Sequence, residues 1–496
     1  MKLCMLSLFL FCCAAGDGIA RPYSALWGKG GEEWSPQSRL PDFSFAGYHS
    51  GEKVIPEIPV VASVRDYGAV GDGRHDDTQA FIDAIEAVDA GAIDIPAGRY
   101  VLTDRIRIEK GGIVLRGAGP DQSVLVIPKS LLQVIPPDTS RGRAPAEHYS
   151  FGPAFFDIRG RDNGQKITEV TRPALRGDRV LVCADVGVVK AGDMVRLLMQ
   201  GGSSLGRYLH DGQDAGEDTL RRNIRVDWAA RVVRVAGNEI EVDRPLRVDV
   251  RMEWQPEIYG FEPSVEELGI EGLSFEFPGV PKKKHLVEEG FNAIQMTGVV
   301  NCWVRNVRIV DADMGIKLTA RTRFCHIEGM EFVAAKREGR TTGHHAIWIA
   351  GNSQENMVID FRVATPYVHD LSLEGFAYGN VFRKGSGVML NLDHHRNGPY
   401  ENLFTDIDAG SGRRLWNSGG SSNRGPHSAV RTTVWNIRHA GEDLDQAPDW
   451  PQINIVGVVG YEAEKTLNAR WIEPLLDPPV PADLYEAQVR LRTRDK

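Results

Sequence analysis

The sequence has few cysteines and no long run of basic residues. Six of its 496 residues are cysteine, and Cys4, Cys12 and Cys13 all lie in the first twenty positions. The other three, at positions 183, 302 and 325, are too few for the disulfide framework of a small secreted domain. No run of Lys and Arg is long enough to follow a nucleic-acid backbone, and the net charge of -9 would repel one. We therefore expect no nucleic-acid partner.

Long apolar runs are scarce as well. The run at residues 3 to 15 follows Lys2 and precedes small residues suited to cleavage after Ala15 or Ala20. It is too short to cross a bilayer, and a basic residue followed by a short apolar run is typical of a secretory signal peptide. We predict a signal peptide over residues 1 to 20, no membrane span, and a secreted or periplasmic location.

The remaining composition is that of a folded, turn-rich chain. It is 42% hydrophobic and 25% charged, and it contains 53 glycines. Because few stretches show the period of a helix, these glycines and the many Val, Ile and Asn residues favour short strands joined by turns. One segment differs, since Phe81, Ile82, Ile85 and Val88 give a single apolar helical face, which Asp76 or Asp77 can cap. The sequence predicts an all-β fold with one N-terminal capping helix.

A loose repeat of the form apolar, two residues, apolar, one residue, apolar runs through the second half of the chain. It begins at Ile270, Val304, Ile327, Val368, Phe404 and Val434. A spacing of 23 (327 − 304) suits one turn of a β-solenoid, and wider gaps indicate loop insertions. Stacked in register, the repeats align Ser274, Arg308, Glu331, Ser372, Asp408 and Arg438 as one outward column. Cys302 and Cys325 would also stack, either as a disulfide or as two buried thiols.

Changes in pattern divide the chain into segments. Residues 134 to 260 lose the short-strand rhythm and contain longer alternating strands, which predicts an inserted β subdomain. We expect a signal peptide (1–20), an irregular N-terminal segment (21–60), an N-terminal cap with the first solenoid turns (61–133), the inserted subdomain (134–260), the main β-helix with its groove (261–460) and a C-terminal tail (461–496).

The N-terminal motifs resemble those of a known superfamily. Asp66-Tyr-Gly-Ala-Val-Gly-Asp-Gly73, the following Asp76-Asp-Thr-Gln-Ala-Phe-Ile-Asp-Ala-Ile85 and Ile95-Pro-Ala-Gly-Arg-Tyr100 resemble the pectate lyase superfamily, in the branch of rhamnogalacturonases and related secreted polysaccharide-degrading enzymes. The resemblance implies a right-handed parallel β-helix. The Asn-Thr-Asp, Asp-Asp, His-Gly and Arg-Ile-Lys series of polygalacturonases is not found in order, so their catalytic residues are not carried over to this chain.

The segment from residue 383 to 439 contains more basic than acidic residues, in a chain whose overall charge is negative. Guanidinium groups bind carboxylates bidentately and indole rings can carry sugars, so the segment favours an acidic polysaccharide as the partner of a monomeric enzyme. Eliminating a uronate requires a base, a cation and a proton donor. His394 or His395 could be the base, Arg396 or one of Arg413 and Arg414 the carboxylate clamp, and Tyr400 the donor. The predicted substrate-binding residues are His344, His345, Trp348, Arg413, Arg414, Trp416, Arg424, His427 and Arg431.

Three alternatives remain open at this point. A glycoside hydrolase would need two carboxylates, which Asp406 with Asp408, or Asp311 with Asp313, could supply if residues two apart share a strand face. The same aspartates could bind Ca²⁺, as in some members of the superfamily, and the histidines with Asp393 could hold a transition metal. A non-catalytic, glycan-binding β-solenoid is the third alternative.

Overall fold

The computed structural model describes residues 21–135, 149–222, 224–441, 446–461, 464–465 and 470–494. The predicted signal peptide, residues 1 to 20, lies outside the described residues. None of the helices in the described ranges is long and apolar enough to cross a membrane.

The body of the molecule is a right-handed parallel β-helix, as predicted. Its strands stack turn upon turn in two parallel sheets. The first sheet contains Val60–Ser63, Asp72–Asp76, Gly91–Ile95, Gly98–Val101, Ile113–Gly117, Ser123–Val126, Gly269–Glu276, Trp303–Val310, His326–Val333, Met357–Ile359, Arg362–Val363, Val381–Arg383, Ser386–Gly387, Leu403–Asp408, Thr433–Arg438, Asn454–Val456, Glu464–Lys465 and Trp471–Glu473. The second sheet contains Ile106–Ile108, Phe156–Arg159, Asn292–Thr297, Met314–Thr319, Gly343–Ile349, Tyr367–Leu373 and Leu392–His394.

The spacing of the repeat comes from a bend in the first sheet. In each strand, the residue just before the second apolar position has a left-handed backbone, with φ of 62° at Gly272, 54° at Asn306 and 64° at Gly329. Asp406 and Asn436 continue the series, both with φ of 53°. Gly, Asn and Asp adopt this conformation most easily. The bend interrupts the alternation of a flat strand, so apolar residues three apart both reach the core.

The predicted register is correct for five of the six repeats. Ile270 pairs with Val304, Val304 with Ile327 and Phe404 with Val434, all in the first sheet. The repeat at Val368 instead belongs to the second sheet. The outward column therefore runs through Ser274, Arg308, Glu331, Arg362, Ser386, Asp408 and Arg438, without Ser372.

One continuous apolar core fills the solenoid, and buried polar ladders run along it. Asn356 donates its side-chain amide to Asn380 at 2.9 Å, and Asn380 donates to Asn402 at 3.0 Å. Cys302 and Cys325 are both buried free thiols, so the structure has the thiol alternative and not the disulfide.

The predicted capping helix spans Thr78–Ala87 and buries Phe81, Ala84 and Ile85 against the first turns. Asp76 accepts the Thr78 amide at 3.1 Å, whereas Asp77 accepts the amides of the preceding loop, including that of Val70 at 2.7 Å. The other helices are Leu131–Val134, Gly202–Leu209, Glu217–Leu220 and Leu484–Thr493, and the 3-10 segments are Tyr48–Gly51, Val64–Tyr67, Met252–Trp254 and Ser422–Arg424.

The inserted subdomain is a six-stranded antiparallel sheet of Lys166–Glu169, Val180–Val182, Met194–Gln200, Arg225–Ala236, Glu239–Val242 and Glu257–Gly260. It begins later than the predicted residue 134, because Phe156–Arg159 still pairs within the solenoid. Buried ion pairs hold it against the β-helix. Arg244 and Arg247 pair with Glu355 at 2.6 and 2.8 Å, and Arg247 also reaches Glu401 at 3.2 Å.

Residues 461 to 496, predicted as a tail, include a docked helix. Leu484 and Tyr485 of the helix Leu484–Thr493 pack with Trp27 and Phe43 of the irregular N-terminal segment. Strand Leu475–Val480 pairs in parallel with Arg21–Tyr23, so the two ends of the described chain lie together.

Candidate active site

A cleft of about 450 Å³ lies above the outward face of the second sheet. The strands Gly343–Ile349 and Tyr367–Leu373 and the turn after Leu392–His394 form its floor. The cleft is lined by Phe151, His285, Leu286, Trp348, Glu374, His395, Gly420, Ser421 and Arg424. Phe151 and Leu286 are 47% and 39% exposed, which gives the cleft an apolar edge suited to the face of a sugar ring.

Asp393 is the buried anchor of the site. Its carboxylate accepts the Gly419 amide at 2.7 Å, the Ser372 hydroxyl at 2.7 Å and His395 Nδ1 at 3.1 Å. Burial by itself raises the pKa of this carboxyl, but the neighbouring His369 and His395 more than offset it and hold the pKa well below the ordinary value. Asp393 is therefore a carboxylate that orients the groups around it.

His395 is the histidine that joins Asp393 to the cleft. Burial lowers the pKa of its imidazole, but the bond to Asp393 outweighs burial and leaves the pKa raised. Because Nδ1 is committed to Asp393, Nε2 is the ring nitrogen left for a substrate, and the side chain is 12% exposed. This pairing of imidazole and carboxylate suits general acid–base chemistry.

His345 lies beneath His395 and is fully buried. The Ser372 hydroxyl gives its proton to Asp393, so His345 Nδ1, 3.0 Å from Ser372 Oγ, must be the donor in that contact. The His345 ring stacks on Trp348 with centroids 4.3 Å apart, and Lys317 Nζ lies 3.7 Å from the centroid of the same indole. Burial lowers the pKa of Lys317 to about 8.

Three further histidines meet beside this pair. The ring centroids of His344 and His369 are 5.4 Å apart, and His285 lies 4.7 Å from His344 and 6.0 Å from His369. Burial, followed by the neighbouring His369 and His285, lowers the pKa of His344 to about 2. These three residues, with His345 and His395, form what we call the histidine cluster.

The lining of the cleft also includes an ion pair. Arg424 Nη1 lies 3.2 Å from Glu374 Oε1, and both side chains are partly exposed in the cleft. Glu374 is the one carboxylate among the described residues that line the cleft.

The structure brings five of the predicted site residues together: His344, His345, Trp348, His395 and Arg424. His394 is not among them, although it adjoins His395. Neighbouring strand residues point to opposite faces, and the His394 ring packs into the core 4.2 Å from Trp450. Of the two histidines, His395 is therefore the one that lines the cleft.

Four other predicted site residues make contacts that support the fold. Tyr400 is buried and stacks on Tyr378, Arg414 donates to the Tyr367 and Val368 carbonyls, Trp416 packs on Trp450 in the core, and Arg431 pairs with Glu401. Since they are buried away from the cleft, the prediction that Tyr400 donates a proton is wrong, as is a binding role for the other three.

Arg396 and His427 support a cleft wall from behind. Arg396 donates to the carbonyls of Gly420 and Gly425 and to His427 Nε2, while His427 Nδ1 contacts the His394 carbonyl. They hold the loop that presents Arg424. Arg413 is exposed and is not among the residues lining the cleft.

Neither predicted aspartate pair, Asp406 with Asp408 or Asp311 with Asp313, has the arrangement of a catalytic pair. Asp406 is a bend residue bound to Arg438 at 2.6 Å, so it does not share a face with Asp408, and both lie on the first sheet. Asp311 accepts the amides of residues 335 to 337, and Asp313 accepts those of residues 290 and 291 and pairs with Arg337 at 2.8 Å.

Four residues of the site were not predicted from the sequence as site residues: His285, His369, Ser372 and Glu374. His369 pairs in register with His345 across neighbouring strands. Assigning the Val368 repeat to the second sheet would have predicted this pairing of His369 with His345. The sequence of the repeat does not indicate which sheet it joins. His285 reaches the site from the segment between strands Gly269–Glu276 and Asn292–Thr297, whose path a sequence does not show.

Residues 61–144 match the family model described as rhamnogalacturonase A/epimerase, pectate lyase-like. This is the segment whose motifs carry the resemblance, and the predicted similarity to the pectate lyase superfamily is confirmed.

Among curated proteins, two Azotobacter vinelandii enzymes, mannuronan C5-epimerases AlgE1 and AlgE3, are each 37% identical over 93 residues, or 17% of this chain. The matched segment spans 7% and 5% of their lengths.

Among solved structures, the tailspike protein gp49 of Pseudomonas phage LKA1 is similar with a TM-score of 0.48 and 14% identity, covering 82% of this chain and 68% of the other. An exopolygalacturonase from Thermotoga maritima has a TM-score of 0.34 and 14% identity, with 82% and 88% covered.

Proposed function

We propose that this protein cleaves a uronate-containing polysaccharide by β-elimination in the cleft above the second sheet. The observation that carries the proposal is the His395 imidazole, held by the buried Asp393 carboxylate in a cleft that also presents Arg424.

His395 is the base. Removal of the proton α to a uronate carboxylate requires a neutral nitrogen that reaches the sugar, and Nε2 is the nitrogen that the bond to Asp393 leaves available. Asp393 fixes the ring orientation and stabilises the imidazolium that forms. Asp393 lies in the short strand Leu392–His394 and His395 follows that strand directly, which limits their relative movement.

Arg424 is the carboxylate clamp. A guanidinium binds a carboxylate through two parallel hydrogen bonds and stabilises the negative charge that develops as the α proton leaves. Arg424 is held near the cleft by Glu374, and a uronate would compete with Glu374 for it. Glu374 could then accept hydroxyl groups of the sugar.

His395 and the sugar together account for every proton and electron pair that moves in the elimination. His395 takes the C5 proton, the electron pair of the C–H bond forms the C4–C5 double bond, and the C4–O bond breaks. The leaving oxygen recovers the proton from the imidazolium, so His395 returns to its neutral form. The products are an unsaturated uronate end and a new reducing end.

A two-carboxylate hydrolase fits the cleft less well. Such enzymes need two carboxyl groups flanking the scissile bond. Glu374 is the one carboxylate among the described lining residues, and Asp393 is buried and bound by three donors.

Purified protein incubated with a panel of uronate polysaccharides tests the proposal through ultraviolet absorbance and a reducing-end assay. Both signals should rise together, and His395→Gln should reduce the rate about 10²- to 10⁴-fold. His75→Gln, a partly exposed histidine near the N-terminal cap, is the control that should retain activity. New reducing ends without absorbance would mean hydrolysis and overturn elimination.

Epimerisation begins with the same proton removal, so it is distinguished by its products. Reaction in heavy water would place deuterium at C5 without chain cleavage.

Export of the protein and a monomeric state belong to the same proposal. N-terminal sequencing of the protein from its native host and light scattering are the respective measurements.

A further inference from the structure

We propose that His285, His344 and His369 form a binding site for a divalent transition-metal ion, best suited to Zn²⁺. Each of the three offers a ring nitrogen, and these nitrogens all lie within 4.8 Å of one another. This inference does not depend on the proposed β-elimination.

Two of these histidines bury ring nitrogens that have no hydrogen-bond partner among the described residues. His344 is 1% exposed and His369 is 5% exposed, and neither ring nitrogen of either residue makes a hydrogen bond to a described residue. Leaving a buried polar group unsatisfied costs about 1–3 kcal/mol. Each of the two rings can offer one of these nitrogens to a single ion, and a cation that accepts their lone pairs supplies the missing partner.

Two buried carboxylates lie beside the rings of His344 and His369. Asp393 Oδ2 lies 3.2 Å from His369 Nδ1, and Glu288 Oε1 lies 3.5 Å from His344 Nδ1. Glu288 is fully buried, and its Oε1 has no hydrogen-bond partner among the described residues. Metal-binding histidines commonly direct their second ring nitrogen to a carboxylate in this way, which leaves Nε2 for the ion.

The ligand set decides the class of ion. Imidazole nitrogens suit Zn²⁺ and its neighbours, whereas Ca²⁺ and Mg²⁺ require oxygen ligands. Three histidines leave a fourth position of a tetrahedral Zn²⁺ site open, and His285 lines the cleft, so that position would face the substrate.

A second set, His369, Asp393 and His395, shares His369 with this site. Its carboxylate already accepts three hydrogen bonds, from Ser372, Gly419 and His395. The three-histidine site has no such competition, and we therefore choose it.

Metal binding by the full chain tests the inference without any polysaccharide. The purified protein is stripped with a chelator, dialysed and titrated with Zn²⁺ by calorimetry and with Co²⁺ by visible spectroscopy. We expect one ion per chain and the intense visible bands of four-coordinate Co²⁺.

The informative variant is His285→Ala, because His285 is exposed on a turn and its loss should leave the fold intact. It should weaken Zn²⁺ binding more than tenfold, and His344→Gln or His369→Gln should abolish it. Lys284→Ala, a change at the exposed neighbour in the same turn, should bind Zn²⁺ as the wild type does.

Two outcomes would overturn the site. One is a stripped wild-type chain that takes up no Zn²⁺ at equimolar concentration. The other is uptake that His285→Ala and His369→Gln leave unchanged, which would place the ion elsewhere. Circular dichroism of each variant separates loss of ligand from loss of fold.

Discussion

Asp393 and His395 are two residues apart in the chain, and their side chains meet on the outward face of the second sheet, with Oδ2 and Nδ1 3.1 Å apart. His394 between them enters the core. The alternation of a strand thus separates the acid–base pair from a histidine that packs against Trp450.

Replacing Asp393 with Asn should lower kcat on a uronate polysaccharide about 10²- to 10⁴-fold while changing KM little, because an amide cannot stabilise the imidazolium form of His395. Steady-state kinetics measure the split. Asp408→Asn is the control, since Asp408 is exposed on the first sheet and, among the described residues, its carboxylate accepts a hydrogen bond only from the Gly410 amide. A large loss in the control and none in Asp393→Asn would favour the aspartate-pair alternative.

Replacing Arg424 with Gln should lower kcat/KM for uronate substrates about 10- to 100-fold, the effect of losing a charge-assisted hydrogen bond of about 1.5–3 kcal/mol. Initial rates over a range of substrate concentrations check this. Arg413→Gln removes an equal charge from the exposed surface nearby and should have little effect. Equal losses in both variants would indicate general electrostatic attraction and not a clamp.

Replacing Asn380 with Ala should destabilise the protein by about 1–3 kcal/mol for each partner left unsatisfied. Asn380 links Asn356 and Asn402 in the buried ladder, and all three side chains are fully buried. Denaturant or thermal unfolding measures the change. Asn417→Ala, at an exposed position, should unfold as the wild type does.

Stability should fall in acid through Glu401. Burial raises the pKa of this carboxyl, but Arg431, Arg176 and Arg247 outweigh burial and lower the pKa to about 2. A carboxyl with a depressed folded-state pKa stabilises the fold fully above its ordinary value of 4.5, and that contribution is lost as pH falls towards 2.

Glu401→Gln should therefore cost about 3–5 kcal/mol at neutral pH, as expected when one partner of a buried ion pair is removed, and less at pH 3. Unfolding curves at the two pH values give the difference. A cost that does not change with pH would show that Glu401 acts through packing alone.

Much of the fold was readable from the sequence. The repeats at Ile270, Val304 and Ile327 predict the register that the first sheet has, because the apolar positions must all reach one core. The capping helix was equally clear, since its apolar face has the period of a helix.

The site was predicted only in part. His344, His345 and His395 were named from local sequence, but Tyr400, Arg414, Trp416 and Arg431 have the same residue types in the same region and are buried elsewhere. Residue type does not determine exposure, and the loops that carry these side chains follow no period.

The sequence by itself determined the stacking of strands, the core and the N-terminal cap, because these depend on the spacing of apolar residues along the chain. Tertiary structure alone decided which sheet the Val368 repeat joins, and therefore that His369 lies beside His345. It also brought His285 to His344 across a long separation in the chain. The physical reason is that a binding site depends on distances between turns and loops, and those distances exist only after the solenoid has wound.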